Sequence, residues 1–163
     1  MKPVVVFYSH TGKTKSVAGQ IASLLGAELQ EIREMRKRGI LGILGGGMQA
    51  ARKKKSEIAP IERSLQAYDT LIVGTPVWAG NMTPAVRAFL EAADLSGKTV
   101  ACFCTTGGTG ARTTLEGMAR LAKGASVLVP LSLTAKELAE EQKAKEKVQK
   151  WVEDVILARQ ARA

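Results

Sequence analysis

Apolar residues along this chain form two kinds of run that alternate five times. Short continuous stretches such as Val4-Val5-Val6-Phe7 and Leu71-Ile72-Val73 read as strands buried on both faces. Between them the apolar positions recur at helical spacing: Val17, Ala18, Ile21, Leu24 and Leu25 after the first strand, then Val86, Phe89, Leu90 and Ala93 after the third. The pattern predicts strands over 4–7, 27–32, 70–74, 99–104 and 127–129. Gly26 supplies a stop for the first helix, and Thr83-Pro84 opens the next with an N-cap and a proline at the first helical position. Capping boxes at Thr113-x-x-Glu116 and Thr134-x-x-Glu137 start the last two helices, and the final long one turns Leu138, Val148, Trp151, Val152, Val155 and Ile156 inward. Residues 60–68 allow a short helical turn with Ile61, Leu65 and Tyr68 facing the core.

Such alternation predicts βαβ units with right-handed crossovers, hence an α/β fold whose parallel sheet is covered on both faces. A length of 163 residues suits a single domain spanning 1–163. The cadence breaks once, at a basic, glycine-rich insertion over about 33–56, where five glycines fall within residues 39–47 and argue against a continuous helix. Met48 to Lys55 retains helical character. Strands 1, 3 and 4 each end in a Gly/Thr-rich loop. Under a strand order 2-1-3-4-5 the topological switch point lies between strands 1 and 3, where two of those loops meet.

Charge changes the picture locally. The formal net charge is +9, but residues 32–56 hold eight basic side chains against the single acid Glu34. The other residues carry 16 basic and 14 acidic groups, so the basicity belongs to the insertion and is not a nucleic-acid footprint of the whole domain. No apolar run approaches the ~20 residues of a membrane span, and the N-terminus runs directly into strand residues, so neither a transmembrane segment nor a signal peptide is expected. Cys102 and Cys104 share one face of a strand, too few for a metal site and poorly placed for a disulfide, which points to a reducing cytoplasm.

The loop after the first strand, Ser9-His10-Thr11-Gly12-Lys13-Thr14, joins a strand to a helix N-terminus with hydroxyls, one lysine and no acid. That chemistry suits a phosphate dianion. A nucleotide P-loop is excluded because Phe7 stands where its first glycine is required. A dinucleotide fingerprint fails because Gly108-x-Gly110-x-x-Thr113 lacks the last glycine and follows the wrong strand. A Cys-x5-Arg phosphatase fails because positions 108 and 110 are glycine, and a phospho-acceptor receiver fails for want of acids after strand 1.

Over nearly its whole length the chain resembles the flavodoxin family. The resemblance rests on the strand order, the three loops, the motif Ser9-x-Thr11-Gly12-x-Thr14 and the run from Tyr68 to Trp78; the uninterrupted stretch from Ser126 to Thr134 is similar to the short-chain branch. It implies a flavodoxin-like three-layer sandwich with a five-stranded parallel sheet of order 2-1-3-4-5, and FMN as cofactor. Ser9, His10, Thr11, Gly12, Lys13 and Thr14 would surround its 5′-phosphate, through the hydroxyls and the N–H groups of residues 10–14. Thr75, Pro76, Val77, Trp78, Ala79, Gly80 and Asn81 would also bind the cofactor: the backbone of Val77 to Asn81 would border the redox-active flavin edge, with Trp78 against the ring and Gly80 allowing a peptide to turn as N5 gains a proton. Thr105, Thr106, Gly107 and Gly108 would hydrogen-bond the pyrimidine edge. The third loop departs from the low-potential pattern by carrying neither an aromatic nor an acid. With a basic surround, that predicts a less negative potential for the reduced flavin.

Other residues carry plainer readings. Trp151 reads as core, Cys104 as structural burial beside the pocket, His10 as a solvated loop histidine with phosphate contact as its alternative, and Lys13 as either phosphate neighbour or solvated helix start. The basic insertion admits four roles: steering an acidic redox partner protein, binding the extra phosphates of NAD(P)H, touching a membrane surface through Ile40, Leu41, Ile43 and Leu44, or covering the sheet edge. With no acid–base constellation and no expected catalytic residue or metal, the leading function is an FMN-binding electron carrier. The alternative is an NAD(P)H-dependent FMN or quinone reductase, which the Gly80-Asn81-Met82 stretch resembles. An interaction module that has lost its cofactor is a third class.

Overall fold

The computed structural model describes residues 1–35, 56–61 and 64–161. Most of the basic insertion, including the clusters Arg36-Lys37-Arg38 and Arg52 to Lys55, the glycine run and the helical expectation at 48–55, lies outside the described residues.

Strand β1 (Pro3–Phe7) is buried along its whole length because helices cover both of its faces. Its alternating side chains sort into two cores. Val4 and Val6 pack with Leu71, Val86, Phe89 and Met118, whereas Val5 and Phe7 pack with Ile21, Ile72, Phe103, Val148 and Trp151. Around β1 the chain builds α1 (Lys13–Leu25), β2 (Glu28–Glu31), a 3₁₀ turn (Leu65–Ala67), β3 (Thr70–Pro76), α2 (Pro84–Ala92), β4 (Thr99–Thr106) and α3 (Ala111–Leu121). It continues through β5 (Ser126–Val127), β6 (Leu131–Thr134), α4 (Ala135–Ala139) and α5 (Glu141–Gln160). The described strands all pair in parallel, as the strand–helix alternation predicts, and their order is β2-β1-β3-β4-β5, as the resemblance implies. Helices α1 and α5 cover one face, and α2 and α3 the other. No described helix is long and apolar enough to cross a membrane.

Several local expectations are met. Gly26 caps α1, Thr83 accepts a hydrogen bond from Val86 N–H at the head of α2, and Thr134 and Glu137 form a reciprocal capping box. Trp151 is a core residue, 5% exposed.

Three others are corrected. The fifth strand, expected at 127–129, is two pieces that both pair β4. Between the pairs Val100↔Val127 and Phe103↔Leu131, β4 uses Ala101 and Cys102 while the edge uses Leu128, Val129 and Pro130. The extra residue is a bulge, placed where Pro130 has no N–H to give the ladder. Trp151 Nε1–H donates to the Val129 carbonyl at 2.9 Å and satisfies an acceptor that the interrupted ladder leaves open. The second correction concerns α3, which starts at Ala111, so Thr113 and Glu116 make no capping box. Thr113 donates instead to the Gly110 carbonyl, and Glu116 pairs with Arg112 at 2.8 Å. Third, the last helix is broken at Glu140, whose φ of −95° and ψ of 75° separate α4 from α5.

Close approach of β3 and β4 sets a space requirement at Gly74. A Cβ there would lie 2.1 Å from Phe103 Cζ on the neighbouring strand. Gly74→Ala should cost about 3 kcal/mol or more, the upper range for overpacking a core, and Gly74→Ala with Phe103→Leu should recover part of that. Urea denaturation measures both; a single-variant loss under about 1 kcal/mol would contradict the close packing.

The α4 cap carries a pH dependence. Hydrogen bonds from Lys147 Nζ, the Thr134 N–H and the Thr134 hydroxyl hold the Glu137 carboxyl at about 2, below its ordinary 4.5. Because the folded value is the lower one, its stabilisation is complete above about pH 4.5 and is lost as pH falls toward 2. With 37% of the Glu137 side chain exposed, solvent screening limits the effect. Glu137→Gln should cost about 0.5–1 kcal/mol at neutral pH and nothing near pH 2. Melting temperatures across that range check it, and a gap independent of pH would refute the assignment.

Candidate functional site

The loops that follow β1, β3 and β4 meet at the carboxyl end of the sheet. In the first, Ser9 is half-buried, His10 to Lys13 are exposed and Thr14 is buried at 1% exposure. Gly12 caps α1 with φ 87° and no side-chain cap. Lys15 N–H donates to Ser9 Oγ at 3.2 Å and Ser16 N–H to the Gly12 carbonyl at 2.9 Å. Among the described residues, the N–H groups of His10 to Thr14 have no acceptor. A turn of unpartnered donors at a helix N-terminus is a place for an anion.

The second loop is a tight turn closed by Trp78 N–H to the Asn81 carbonyl (2.9 Å) and Asn81 N–H to the Trp78 carbonyl (3.0 Å). Its central residues, Ala79 (φ 46°) and Gly80 (φ 71°), are both left-handed, the geometry of a type I′ turn. Ala79 is the one non-glycine with positive φ among the described residues, and its strain of about 1–2 kcal/mol sits at the exposed tip. The Asn81 side chain braces the turn by accepting from Met82 N–H (3.0 Å) and Arg87 Nη2 (2.9 Å). Half-buried Trp78 packs perpendicular to Tyr8 and His10, each with ring centroids 5.8 Å away.

The third loop shapes itself. The Thr106 hydroxyl donates to the Thr109 carbonyl at 2.7 Å and accepts from Gly108 N–H at 3.2 Å. Gly107 and Gly108 are exposed and face open space. Thr105 ties the loops together. Its hydroxyl shares a 2.8 Å hydrogen bond with that of Thr14, and its carbonyl accepts from Val77 N–H at 2.8 Å.

The structure thus brings together Ser9 to Thr14, Trp78 to Asn81 and Thr105 to Gly108. Thr75 stands apart. Its buried hydroxyl donates to the Pro76 carbonyl and accepts from Thr83 N–H, facing the start of α2. Three contributors were missed in the sequence. Tyr8 packs on Trp78 and donates to Glu34 at the base of the insertion. Gly110 abuts the second loop, since a Cβ on it would lie 2.6 Å from Gly80 Cα. Arg87 braces Asn81. Gly110 had a signal in the pair Gly108-x-Gly110; Arg87, on the polar flank of a helical stripe, had none.

The insertion's ends also reach this region. Glu34 and Ile58 form an antiparallel bridge, Met35 N–H donates to the Glu57 carbonyl at 3.0 Å and Ala59 N–H to the Arg33 carbonyl at 2.8 Å. Residues 33–35 and 57–59 are therefore joined to each other, and Glu34 ties them to Tyr8.

With this fold and loop geometry, the chain belongs to the flavodoxin family: the family's model, described as Flavodoxin, matches residues 47–155. The match begins after the first loop. Solved structures that share the fold include these three. A candidate flavoprotein from Bacteroides uniformis is 23% identical with a TM-score of 0.77, over 93% of this chain and 97% of that one. A flavoprotein from Lactobacillus acidophilus, solved in complex with FMN, is 23% identical with a TM-score of 0.71, over 85% and 97%. A WrbA-like flavodoxin from Agrobacterium tumefaciens is 20% identical with a TM-score of 0.66, over 98% of each.

Gly110→Ala tests the contact between the second and third loops. Besides the 2.6 Å approach to Gly80, its φ of 82° is left-handed, so alanine should cost about 2 kcal/mol and displace the turn. Amide resonances of residues 78–81 should shift; a spectrum unchanged there would show that the two loops are independent.

Proposed function

We propose that this chain is an FMN-binding electron-transfer protein of the flavodoxin family. The observation that carries the reading is the acid-free first loop, whose N–H groups from His10 to Thr14 have no acceptor among the described residues, set beside the Trp78 turn. Family membership and the FMN complex of the Lactobacillus protein support FMN as the cofactor. The donor set fits it: N–H groups and the Ser9 and Thr11 hydroxyls for a phosphate, an indole for an extended ring, and the exposed glycines 107 and 108 for close backbone approach. When bound, FMN supplies the electron-accepting chemistry. The chain's residues hold and orient it: loop one fixes the phosphate end, Trp78 excludes water from one side, and the 78–81 turn presents backbone groups to the ring edge. Thr14 and Thr105 act from below the site through their shared hydrogen bond.

The basic insertion, anchored beside Tyr8, supports docking of an acidic redox partner by charge steering. Cys102 and Cys104 are free and buried, and burial raises both thiols to about 12, which supports a structural role and suits a reducing compartment such as the cytoplasm.

A second reading, an NAD(P)H-dependent FMN or quinone reductase, draws on the open third loop, where nothing lies within 4 Å of a Cβ placed at Gly107 or Gly108. Such a loop leaves room for a second flat substrate.

Reconstitution with FMN and anaerobic mixing with NADPH separate the readings. The carrier reading predicts stoichiometric FMN uptake, about tenfold weaker binding in Trp78→Ala, and no rapid bleaching by NADPH without a helper reductase. Rapid bleaching by NADPH alone would establish the reductase instead, and refusal of FMN by the purified chain would overturn both.

A further inference from the structure

Next to the 78–81 turn the molecule holds a cavity of about 390 Å³ between α2 and α3, with a mixed lining that runs from Gly80 and Asn81 through Arg87 to Gly117, Arg120 and Leu121. Its volume is that of a small-molecule site. The informative residue is Arg87, only 7% exposed. One of its terminal nitrogens donates to Asn81 Oδ1 at 2.9 Å and the other lies 4.0 Å from Glu91, but its Nε is buried without an acceptor among the described residues. Burial lowers its proton affinity and Glu91 only partly offsets this. The Nε itself has almost no accessible surface, and a buried guanidinium with an unsatisfied donor is costly, so Arg87 gains from a shift that brings it an acceptor.

Two further features point the same way. Arg120, exposed on α3, supplies a second guanidinium to the cavity. Gly117 occupies the middle of α3, where glycine is unfavourable. A Cβ there would stand 3.1 Å from Met82 Cε, 3.9 Å from Asn81 Oδ1 and 4.0 Å from an Nη of Arg120. The missing side chain keeps open the space between the brace of the turn and the second arginine.

We propose that this cavity is a second anion site, which binds a phosphomonoester between Arg87 and Arg120. Two guanidinium groups brought in by different helices can engage a dianion from two sides, whereas a planar carboxylate is saturated by one. The volume accommodates an organic body beyond the phosphate. Because Arg87 also donates to Asn81, which closes the turn through both of its backbone groups, an anion that recruits Arg87 alters the bracing of the 78–81 turn. The binding step stands independently of the flavin reading; only an effect of that bracing on bound FMN rests on it.

The test uses the full chain, first saturated with FMN and then as purified without added FMN, and follows the Arg87 Nε–H, the Asn81 side-chain amide and the Gly117 amide by nitrogen-resolved NMR. Ribose 5-phosphate, inorganic phosphate and ribose are titrated separately. Saturable shifts of all three signals with ribose 5-phosphate, absent with ribose, are expected; equal affinity for inorganic phosphate would identify the free ion as the ligand. Arg120→Gln, an exposed surface substitution, should weaken binding about tenfold, and Gly117→Leu should abolish it. Shifts confined to residues 10–14, non-saturating shifts, or unchanged affinity in Arg120→Gln would overturn the proposal. Binding here without FMN uptake would leave this site standing and remove the flavin reading; the converse would do the reverse.

Discussion

The candidate site depends on one buried residue near the end of β4. Thr105 lies 5% exposed, with its hydroxyl on Thr14 and its carbonyl on Val77 N–H, so each of the three loops is tied to it within one residue. Both bonds are short, sequestered from water and made between rigid elements: the first turn of α1, the end of β3 and the end of β4. A pocket assembled from loops needs such a floor, because loop tips alone pay too much conformational entropy to hold a ligand geometry. The expected ligand hydroxyl of Thr14 is therefore also structural, and the N–H groups above it are the more available donors.

From that floor the loops differ in stiffness. The second is the most constrained, with two cross-turn hydrogen bonds, the Asn81 brace, Gly110 pressed against Gly80 and strain at Ala79. The third is held by a single threonine hydroxyl around two exposed glycines. A left-handed alanine where glycine or asparagine is the easy choice persists only when its surroundings over-determine it. Here they do, through α2 and α3 as well as the loops, which connects the turn to Arg87 and to the cavity next to it.

Much of the fold was legible because it is periodic. A sheet covered on both faces demands continuous apolar strands, and helices packed on one side demand a stripe; residues such as Val4 to Phe7 and Val86 to Leu90 satisfy those demands in any context. Boundaries were less legible. The box at Thr113 and Glu116 has the right spelling, yet Gly110 starts α3 earlier and Arg112 claims Glu116. Pro130 marked the break in the edge strand, but only the ladder register shows the extra residue and only packing shows Trp151 satisfying Val129.

The strand order was implied by the resemblance to the flavodoxins; by itself the sequence determined the alternation of elements, the parallel sheet that brings three loops to one end, and the acid-free character of the first loop. Those properties follow from local composition and from the handedness of connections. Tertiary structure decided which groups are occupied and which are free: Thr75 turned toward α2, Thr14 committed to Thr105, Gly110 fitted to Gly80, and Arg87 buried with a donor to spare. The reason is physical. Hydrogen-bond satisfaction and steric fit are pairwise properties of residues far apart in the chain, and no periodicity within either segment encodes them.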